Sequence, residues 1–375
     1  MRIQEHISLK ELTTLKIGGV ARYFVLAQSI SELKEAIAFA KEKEVPFMIL
    51  GGGSNILIHD SGFQGLVIKN EFKGIEYPSH RTETEQERGT DTKLIIAGAG
   101  ESWDELVATT VERELWGLEN LSGIPGSVGA TPVQNIGAYG AEIKDTLEWV
   151  EVFDAESGEV QRIANADCEF EYRDSIFKNP ENKCLIITSV AFRLKTNGTP
   201  NLEYKDLKER FKIQDSRFKK EWPALADIRK AVLEIRSKKF PDLTQFGTAG
   251  SFFKNPIISQ EQFDKLKKQY PDLHGFSLSY SPLRKGALPS SAGGMLASSN
   301  QKLMVKLPLA WILDNICNLK GYRKGNVALF EKQPIVLVNL GDATADEIKE
   351  FAEEIIACVK SKTGIDIEPE VQYMS

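Results

Sequence analysis

The first third of the chain alternates between two patterns of hydrophobic positions. Apolar runs at 23–27 and 46–50 predict strands, and a helix-like spacing of apolar residues begins between them, after Ser29. A second unit repeats this order, with a strand-like run at 94–100 and then a helix that we expect to be capped by Ser102. This alternation is typical of a fold that mixes helices and strands.

The rest of the chain changes character twice. β-branched and aromatic residues between 149 and 194 predict strands, whereas 202–240 is charged and has helical periodicity up to the breaker Pro241. Beyond Pro241 the pattern predicts a helix that begins after Ser259, an amphipathic helix at 307–318, a strand at 335–340 and a long helix from Thr344 to about Lys362. We therefore expect an α+β chain with a separate C-terminal domain.

Composition excludes several classes of protein. The 375 residues are 42% hydrophobic and 27% charged, which is typical of a globular chain with a buried core. The net charge is −6 and no long basic run occurs, so the usual footprint of a nucleic-acid-binding protein is missing. The start has no signal-peptide core, and the apolar run 184–192 is too short to cross a bilayer. We expect a cytoplasmic protein that binds neither nucleic acid nor membrane and, although the sequence does not fix the oligomeric state, a monomer.

The cysteines suggest neither a disulfide framework nor a metal site. They are scattered, without the close pairing of metal ligands, at Cys168, Cys184, Cys317 and Cys358. The chain also has only four histidines. We therefore expect buried free thiols and no metal.

Glycine is concentrated in one segment. Six of the 24 residues in 117–140 are glycine, against 29 of 375 in the whole chain. Glycine permits positive φ and close approach of the backbone to a ligand, and rows of free N–H groups form anion sites. The short loops 51–55 and 98–100 have the same character. Each loop alone is equally explained as a tight turn, but the three together favour a cofactor that carries phosphate.

The glycine loops do not match the Rossmann fingerprint. None of them reads GxGxxG between a strand and a helix with an acidic residue about 20 positions later. A flavin dinucleotide held in a different kind of cradle is therefore the better hypothesis.

Five segments together resemble one enzyme family. They read ILGGGSN at 49–55, GLENLSGIPGSVGATPVQNIGAYG at 117–140, YRDSIFK at 172–178, GTAGSFFKNP at 247–256 and IEPEV at 367–371. In this order, and over nearly the whole chain, they are similar to the UDP-N-acetylenolpyruvoylglucosamine reductases, flavoenzymes of bacterial peptidoglycan precursor synthesis.

The resemblance implies a fold, a cofactor and a reaction. The fold is α+β, with a vanillyl-alcohol-oxidase-like two-part FAD-binding domain and a C-terminal α+β substrate-binding domain. On this basis we expect FAD-binding parts at 1–72 and 73–240, with 370–375 rejoining the first, and a substrate-binding domain at 241–369. FAD is the implied cofactor and NADPH the implied reductant. The implied reaction converts UDP-N-acetylglucosamine enolpyruvate to UDP-N-acetylmuramate.

That reaction constrains the catalytic residues. Hydride adds to the terminal carbon of the enolpyruvyl ether, negative charge moves toward the neighbouring carboxylate, and the inner carbon is then protonated. Arg173 presents a permanently charged fork that suits the carboxylate, and Glu370 can assist if it stays protonated. By resemblance, Ser251 is the proton donor. The plainer alternatives are a surface ion pair with Asp174, a turn serine, and a solvated carboxylate at Glu370 or Glu368.

The resemblance also assigns binding residues. For the cofactor these are Gly51, Gly52, Gly53, Ser54, Asn55, Gly123, Ile124, Pro125, Gly126, Gly129, Ala130, Gln134, Asn135, Gly137, Ala138, Tyr139 and Gly140. For the substrate they are Tyr204, Lys239, Asn255 and Gln333, and Tyr204 marks the subgroup whose tyrosine-bearing loop closes over the substrate. Lysine, amide and phenol groups are suitable partners for a diphosphate.

The chain departs from the family pattern in two respects, and two other functions stay open. Gln372 stands where the family often has arginine, and the polar segments 77–93 and 279–300 look longer than in a minimal member. One alternative is an FAD-dependent oxidase of a sugar or alcohol on the same fold, although the motifs at 172–178 and 247–256 argue against it. The other is a noncatalytic protein that binds flavin or nucleotide sugar, which the presence of all three reactive residues disfavours.

Overall fold

The structure, a computed structural model, describes residues 1–78, 91–212, 222–279 and 303–374. Most of the two long polar segments, 77–93 and 279–300, therefore lies outside the described residues.

Strands and helices alternate along the described residues. The strands are β1 Gln4–Ser8, β2 Val20–Ala27, β3 Phe47–Leu50, β4 Ile56–Ile58, β5 Phe63–Asn70, β6 Ile75–Glu76, β7 Thr92–Gly98, β8 Gly137–Ala138, β9 Ala141–Glu142, β10 Leu147–Asp154, β11 Val160–Ala164, β12 Leu185–Lys195, β13 Ile257–Ser259, β14 Phe276–Ser279, β15 Leu303–Lys306, β16 Arg323–Lys324, β17 Val327–Phe330, β18 Gln333–Asn339 and β19 Gln372–Met374. The helices are α1 Ile30–Glu42, α2 Trp103–Glu112, α3 Lys205–Arg210, α4 Leu225–Lys239, α5 Gln260–Gln269, α6 Leu309–Asn315 and α7 Ala345–Thr363. The predicted α+β class is confirmed.

The first part of the chain forms a sheet in the order β1-β2-β5-β3. β5 pairs in parallel with both β2 and β3, and α1 connects β2 to β3 along the chain. As expected, Ser29 caps α1, since its side chain accepts a hydrogen bond from the backbone N–H of Glu32. Leu33, Ala36 and Ile37 form the buried face of the helix, which is the face that the apolar spacing predicted.

The second sheet has the order β11-β10-β12-β7-β6 and is antiparallel throughout. α2 follows β7, but the expected side-chain cap is wrong, because Ser102 makes no capping hydrogen bond. Instead, the backbone N–H of Trp103 donates to the carbonyl of Gly126 at 3.1 Å. The start of α2 is thus satisfied by the glycine-rich segment itself.

The C-terminal part contains two three-stranded sheets, β13-β15-β14 and β16-β17-β18. The predicted capping boxes are present at α5 and α7, and α7 ends at Gly364 in a left-handed conformation. The amphipathic helix expected at 307–318 is shorter, Leu309–Asn315, because Pro308 precedes it and the chain turns after Asn315. Its buried residues are Leu309, Ile312 and Leu313.

The last strand returns to the beginning of the chain. β19 pairs in parallel with β4, joining Gln372 to Ile56 and Met374 to Ile58. The end of the described chain therefore pairs with a strand of its first part, and the rejoining of 370–375 to the first FAD-binding part stays a prediction. The exact division at 72, 240 and 369 stays a prediction.

Two further sequence expectations concern thiols and membranes. All four cysteines are free, but only Cys168 and Cys317 are buried, whereas Cys184 and Cys358 are half-buried. The expectation of buried thiols is thus wrong for two of the four. Among the described helices, none has both the length and the apolar character needed to span a bilayer.

Candidate active site

One cavity of about 1540 Å³ is lined both by residues of the glycine loops and by the candidate reactive side chains. All three predicted catalytic residues and all four predicted substrate residues line it. Of the 17 predicted cofactor residues, 15 line it, and Gly123 and Asn135 do not. A pocket for one drug-sized ligand measures about 300–1,000 Å³. The cavity therefore has room for a cofactor together with a second ligand.

Gly123 and Asn135 support the glycine-rich segment from outside the cavity. The backbone N–H of Gly123 donates to Asp104 Oδ1 at 2.5 Å, and its carbonyl accepts from Arg236 Nε at 3.0 Å. Asn135 is fully buried and donates through Nδ2 to Glu142 Oε2 at 2.9 Å. Both residues hold the turns in place, which sequence reasoning did not distinguish from contact with the cofactor.

The glycines allow two loops to pack directly on each other. A Cβ on Gly52 would lie 2.5 Å from the Cα of Gly126, and one on Gly129 would lie 2.6 Å from the Cβ of Ala99. No real Cβ contact is that short, so a side chain at either position would push the loops apart. We call the paired loops Gly51–Asn55 and Ile124–Gly129 the glycine cradle.

The glycine cradle leaves polar groups without a protein partner. The backbone N–H groups of Gly52–Asn55 donate no hydrogen bond to the part of the chain that the structure describes. Ser127 Oγ lines the cavity and is buried, also without a described partner. Buried polar groups are normally paired, and consecutive free N–H groups form an anion site. The cradle therefore fits the pyrophosphate of FAD.

Arg173 projects from a tight, strained turn. Glu171 and Asp174 close this turn through paired backbone hydrogen bonds, and Arg173 has a φ of 57°, unusual for a residue with a side chain. Its Nη2 donates to the carbonyl of Gly137 at 2.7 Å, and Lys178 Nζ donates to the carbonyl of Arg173 at 2.7 Å. The guanidinium is thus fixed on the cavity wall before any ligand binds.

Arg173 and Glu370 form a buried pair at the cavity. Arg173 Nε lies 3.1 Å from Glu370 Oε1, but its N–H does not point at that oxygen, so Nε has no hydrogen-bond acceptor among the described residues. Burial raises the pKa of the Glu370 carboxyl, while the charges of Arg173 and Lys178 oppose that rise. The pair thus places a fixed cation beside a carboxyl group whose pKa is raised by burial.

The two candidate glutamates occupy different environments. The Glu370 side chain is only 10% exposed, whereas that of Glu368 is 74% exposed and lies 3.6 Å from Lys254 Nζ. Only Glu370 lines the cavity. The geometry therefore favours Glu370 over Glu368 for the acidic role.

Ser251 lines the same cavity and lies on the middle one of three hydrogen-bonded backbone segments. Ser251 bridges Val336 of β18, and Phe252 N donates to Ile335 O at 2.9 Å. On the other side, Glu370 N donates to Phe252 O at 2.7 Å. β18, the segment that begins at Ser251 and the segment that ends at Glu370 thus lie side by side, although they are far apart in sequence.

Tyr204 and Lys239 form a cluster beside the glycine-rich segment. Tyr204 precedes α3 and packs edge-on against Tyr139, with ring centroids 5.1 Å apart. Lys239 is the last residue of α4; its Nζ forms an ion pair with Asp206 and lies 5.9 Å from the centroid of the Tyr204 ring. The charge of Lys239 is therefore already matched within the protein.

Asn255 and Gln333 line the cavity from the C-terminal part. Asn255 Oδ1 accepts a hydrogen bond from the backbone N–H of Leu309 at 2.9 Å, at the first residue of α6. Gln333 is the first residue of β18. The Asn255 side chain also hydrogen-bonds Tyr172, so its amide is held in place on the cavity wall.

Several cavity residues escaped the sequence reasoning. Tyr172 and Ser127 lie inside the motifs that carried the resemblance and could have been found there. Lys306 has no such signal; its Nζ lies 4.8 Å from the centroid of the Tyr172 ring, and burial, followed by the charge of Arg173, lowers its pKa. Arg236 also lines the cavity. It lies near the end of α4, whose sequence resembles that of an ordinary charged surface helix.

Two family models match the chain. A model described as an FAD binding domain matches residues 21–164. A model of the C-terminal domain of UDP-N-acetylenolpyruvoylglucosamine reductase matches residues 242–374.

Curated relatives match along the whole chain. The UDP-N-acetylenolpyruvoylglucosamine reductase of Photorhabdus laumondii is 38% identical over 98% of this chain and 96% of its own length. The protein of the same name from Flavobacterium johnsoniae is 37% identical over 100% of both chains, and that from Photobacterium profundum is 36% identical over 100% of this chain and 96% of its own.

A solved structure supports the same fold. The crystal structure of UDP-N-acetylenolpyruvylglucosamine reductase from Thermus caldophilus covers 100% of both chains with a TM-score of 0.62 and 23% identity. At that identity the match bears on the fold alone, while the curated relatives identify the family. The chain belongs to the UDP-N-acetylenolpyruvoylglucosamine reductases, and it is an oxidoreductase with FAD as its cofactor.

Proposed function

We propose that the chain reduces UDP-N-acetylglucosamine enolpyruvate to UDP-N-acetylmuramate, with FAD as cofactor and NADPH as the source of hydride. The observation that carries the proposal is the buried pair of Arg173 and Glu370, which shares one cavity with the glycine cradle. A fixed cation next to a buried carboxyl group with a raised pKa suits a substrate whose carboxylate gains negative charge during the reaction.

When bound, FAD would supply hydride transfer from NADPH to the terminal carbon of the enolpyruvyl group. The free N–H groups of Gly52–Asn55 and the hydroxyl of Ser127 are the groups that would hold its pyrophosphate. Because these groups belong to a rigid pair of loops, they orient the cofactor without rearranging.

Arg173 binds the substrate carboxylate in this proposal. Its Nε–H lacks a described acceptor, while Nη2 is fixed by Gly137, so the guanidinium can donate to a carboxylate without giving up an existing hydrogen bond. Burial raises the pKa of Glu370, and in its protonated form this carboxyl can donate a second hydrogen bond to the same group. Together they stabilise the charge that develops when hydride arrives.

Ser251 supplies the proton at the inner carbon. It lines the cavity beside the segment that carries Glu370, which supports a position near the reacting atoms. A serine hydroxyl is a weak acid, so it transfers a proton only to a strongly basic centre such as the carbanion-like intermediate. The hydroxyl must then be restored by a proton from water in the cavity.

The remaining substrate contacts and the setting complete the proposal. Tyr204, Lys239, Asn255 and Gln333 contact the nucleotide diphosphate, and Tyr204 lies on a segment that closes over it. We keep the expectation that the protein acts as a cytoplasmic monomer on this small molecule, without nucleic acid.

An anaerobic colour assay tests the reaction. The flavin-loaded protein should bleach when NADPH is added and should recover its colour only when the enolpyruvyl nucleotide follows. Recovery at a comparable rate with oxygen alone would favour the oxidase instead, and no bleaching with NADPH would contradict the choice of reductant.

A serine variant tests the assigned proton donor. Ser251→Ala should leave bleaching by NADPH intact and slow recovery of colour with substrate by about a hundredfold or more, because only the second step needs the proton. Ser237→Ala, on the exposed face of α4, is the matched control and should change neither step. Equal losses in both steps for Ser251→Ala would remove the serine from this role.

A further inference from the structure

Arg236 is a cation on the cavity wall that no carboxylate of the described residues pairs with. Arg229, Arg236 and Lys239 lie along α4. Arg229 Nη1 contacts Asp104 at 2.6 Å and Lys239 pairs with Asp206, whereas Arg236 forms no ion pair with any described residue. Of these side chains, Arg236 and Lys239 line the cavity.

The surroundings fix Arg236 without neutralising it. Its Nε donates to the carbonyl of Gly123 at 3.0 Å, and its Cζ lies 4.6 Å from the centroid of the Phe240 ring. Asp104 is the carboxylate that acts on it electrostatically, but Asp104 already binds Arg229 and the N–H of Gly123. Arg236 is half-buried, and this burial lowers its pKa, although a guanidinium keeps its proton in proteins.

We propose that Arg236 is a diphosphate-binding residue of this cavity. Its Nε is used by Gly123 and one terminal N–H by Tyr139, so the remaining N–H groups of the two NH₂ groups are the part that can bind phosphate oxygens. Tyr139, which hydrogen-bonds the guanidinium, carries no charge to neutralise it, because burial raises the pKa of that phenol to about 12. Lys239, the cation expected from the resemblance, is neutralised by Asp206, so Arg236 supplies the free positive charge at this point.

Three diphosphates enter the proposed reaction: the nucleotide sugar, FAD and NADPH. The inference rests on the proposed function for the first and third but not for FAD, which the family establishes. An Arg236→Gln variant keeps an amide that can donate to Gly123 and removes the charge. We expect its affinity to fall by about tenfold to a hundredfold for at least one of UDP, FAD and NADP⁺, as for loss of a charged hydrogen bond.

Titration of the protein distinguishes these sources. UDP, NADP⁺ and uridine are titrated into flavin-loaded protein by calorimetry, and FAD into protein stripped of flavin. If UDP is the ligand, Arg236→Gln weakens UDP and leaves uridine within about twofold of wild type, and the loss shrinks with added salt. A selective loss for FAD or NADP⁺ assigns the residue to that pyrophosphate instead.

Control variants distinguish the loss of the Arg236 charge from a loss of folding. Arg210→Gln removes an exposed arginine that pairs with Glu234 and should change none of the affinities. Arg236→Lys keeps the charge and should recover part of the loss if the other variant folds poorly. Unchanged binding of UDP, FAD and NADP⁺ in both Arg236 variants overturns the proposal, as does an equal loss for UDP and uridine with FAD and NADP⁺ unaffected. Failure of wild-type protein to bind UDP would count against the substrate, and the FAD titration would still decide the role of Arg236.

Discussion

The glycine cradle and the Arg173–Glu370 pair line the same cavity but are built in opposite ways. The cradle works because side chains are missing: Gly52 and Gly126 pack backbone against backbone and leave N–H groups free. The Arg173–Glu370 pair works because two side chains are buried together, with Arg173 Nε lacking an aligned acceptor among the described residues. The first arrangement suits a ligand that stays bound, and the second suits a charge that appears only during a reaction.

Mutations in the two regions should therefore have different effects. A change in the pair should affect the rate of one step while flavin stays bound, because the cradle does not depend on it. A change in the cradle should affect how tightly flavin binds, because the loops must hold their spacing. The four changes below test that separation, from the largest effect to the smallest.

Removing the charge at the pair should have the largest effect. Arg173→Gln should slow reoxidation of the flavin by the enolpyruvyl nucleotide by about a hundredfold to a thousandfold, because a fixed donor at the developing charge is lost. Flavin content and bleaching by NADPH should stay close to wild type. Rapid-mixing spectroscopy measures both steps, and loss of flavin from this variant would mean that the two regions are not separable.

Adding one carbon to the cradle should have the next largest effect. Gly52→Ala places a Cβ 2.5 Å from Gly126 Cα, so the loops must separate. Overpacking of this kind costs about 1–3 kcal/mol, and we expect FAD affinity to fall by about tenfold to a hundredfold. Gly158→Ala, with no atom within 4 Å of the added carbon, is the control. Equal FAD affinity in wild type and Gly52→Ala would show that the loop contact does not set the cradle.

The buried acid should make stability depend on pH. The raised pKa of Glu370 means that the folded protein holds this proton more tightly than the unfolded chain, so the stabilisation is full below the ordinary value of 4.5 and is lost as pH rises through the raised pKa. A tenfold difference in proton affinity between the folded and unfolded states corresponds to about 1.4 kcal/mol of stability.

Glu370→Gln removes this titration. Relative to wild type, the variant should therefore gain stability as pH rises through that window, which thermal melting across the pH range measures. Glu368→Gln, at an exposed carboxylate on the same segment, is the matched control for loss of one charge. A constant difference between wild type and Glu370→Gln at every pH would contradict the raised pKa.

The smallest effect is expected at Ser127. Its Oγ is buried on the cavity wall without a described partner, so it can bind FAD only by making a new hydrogen bond. A neutral hydrogen bond contributes about 0.5–1.5 kcal/mol, so Ser127→Ala should weaken FAD by about twofold to tenfold. Fluorescence titration of flavin detects this change, and tighter binding in the variant would show that the hydroxyl has no partner in the complex either.

Local signals predicted the regular elements well where capping and apolar spacing agreed. The helix predicted from Thr344 to about Lys362 matches α7, Ala345–Thr363, nearly to its ends, and Thr344 caps it. Ser102 shows the limit of this reasoning, because the N-terminal groups of α2 are satisfied by Gly126 from a distant part of the chain. A capping motif cannot reveal that a tertiary contact has replaced it.

The candidate site shows the same division. Motif matches located Arg173, Ser251 and Glu370, but Lys306 and Arg236 carry no local signal that separates them from surface cations. Their burial and their missing carboxylate partners among the described residues arise only when β15, α4 and the glycine-rich segment come together. Charge pairing is a property of three-dimensional neighbours, so a sequence pattern cannot show which cation stays unpaired.

The sequence by itself determined the α+β class, the glycine-rich loops, the resemblance to a family and the identity of the three candidate reactive residues. The tertiary structure alone decided why those loops need glycine, since the reason is their contact with each other at Gly52 and Gly126. It also decided that Glu370 and not Glu368 is buried, and that, among the described residues, Lys239 is neutralised while Arg236 is not. Composition and local periodicity follow from the order of residues, whereas burial, pKa and ion pairing depend on segments distant in sequence that become neighbours when the chain folds.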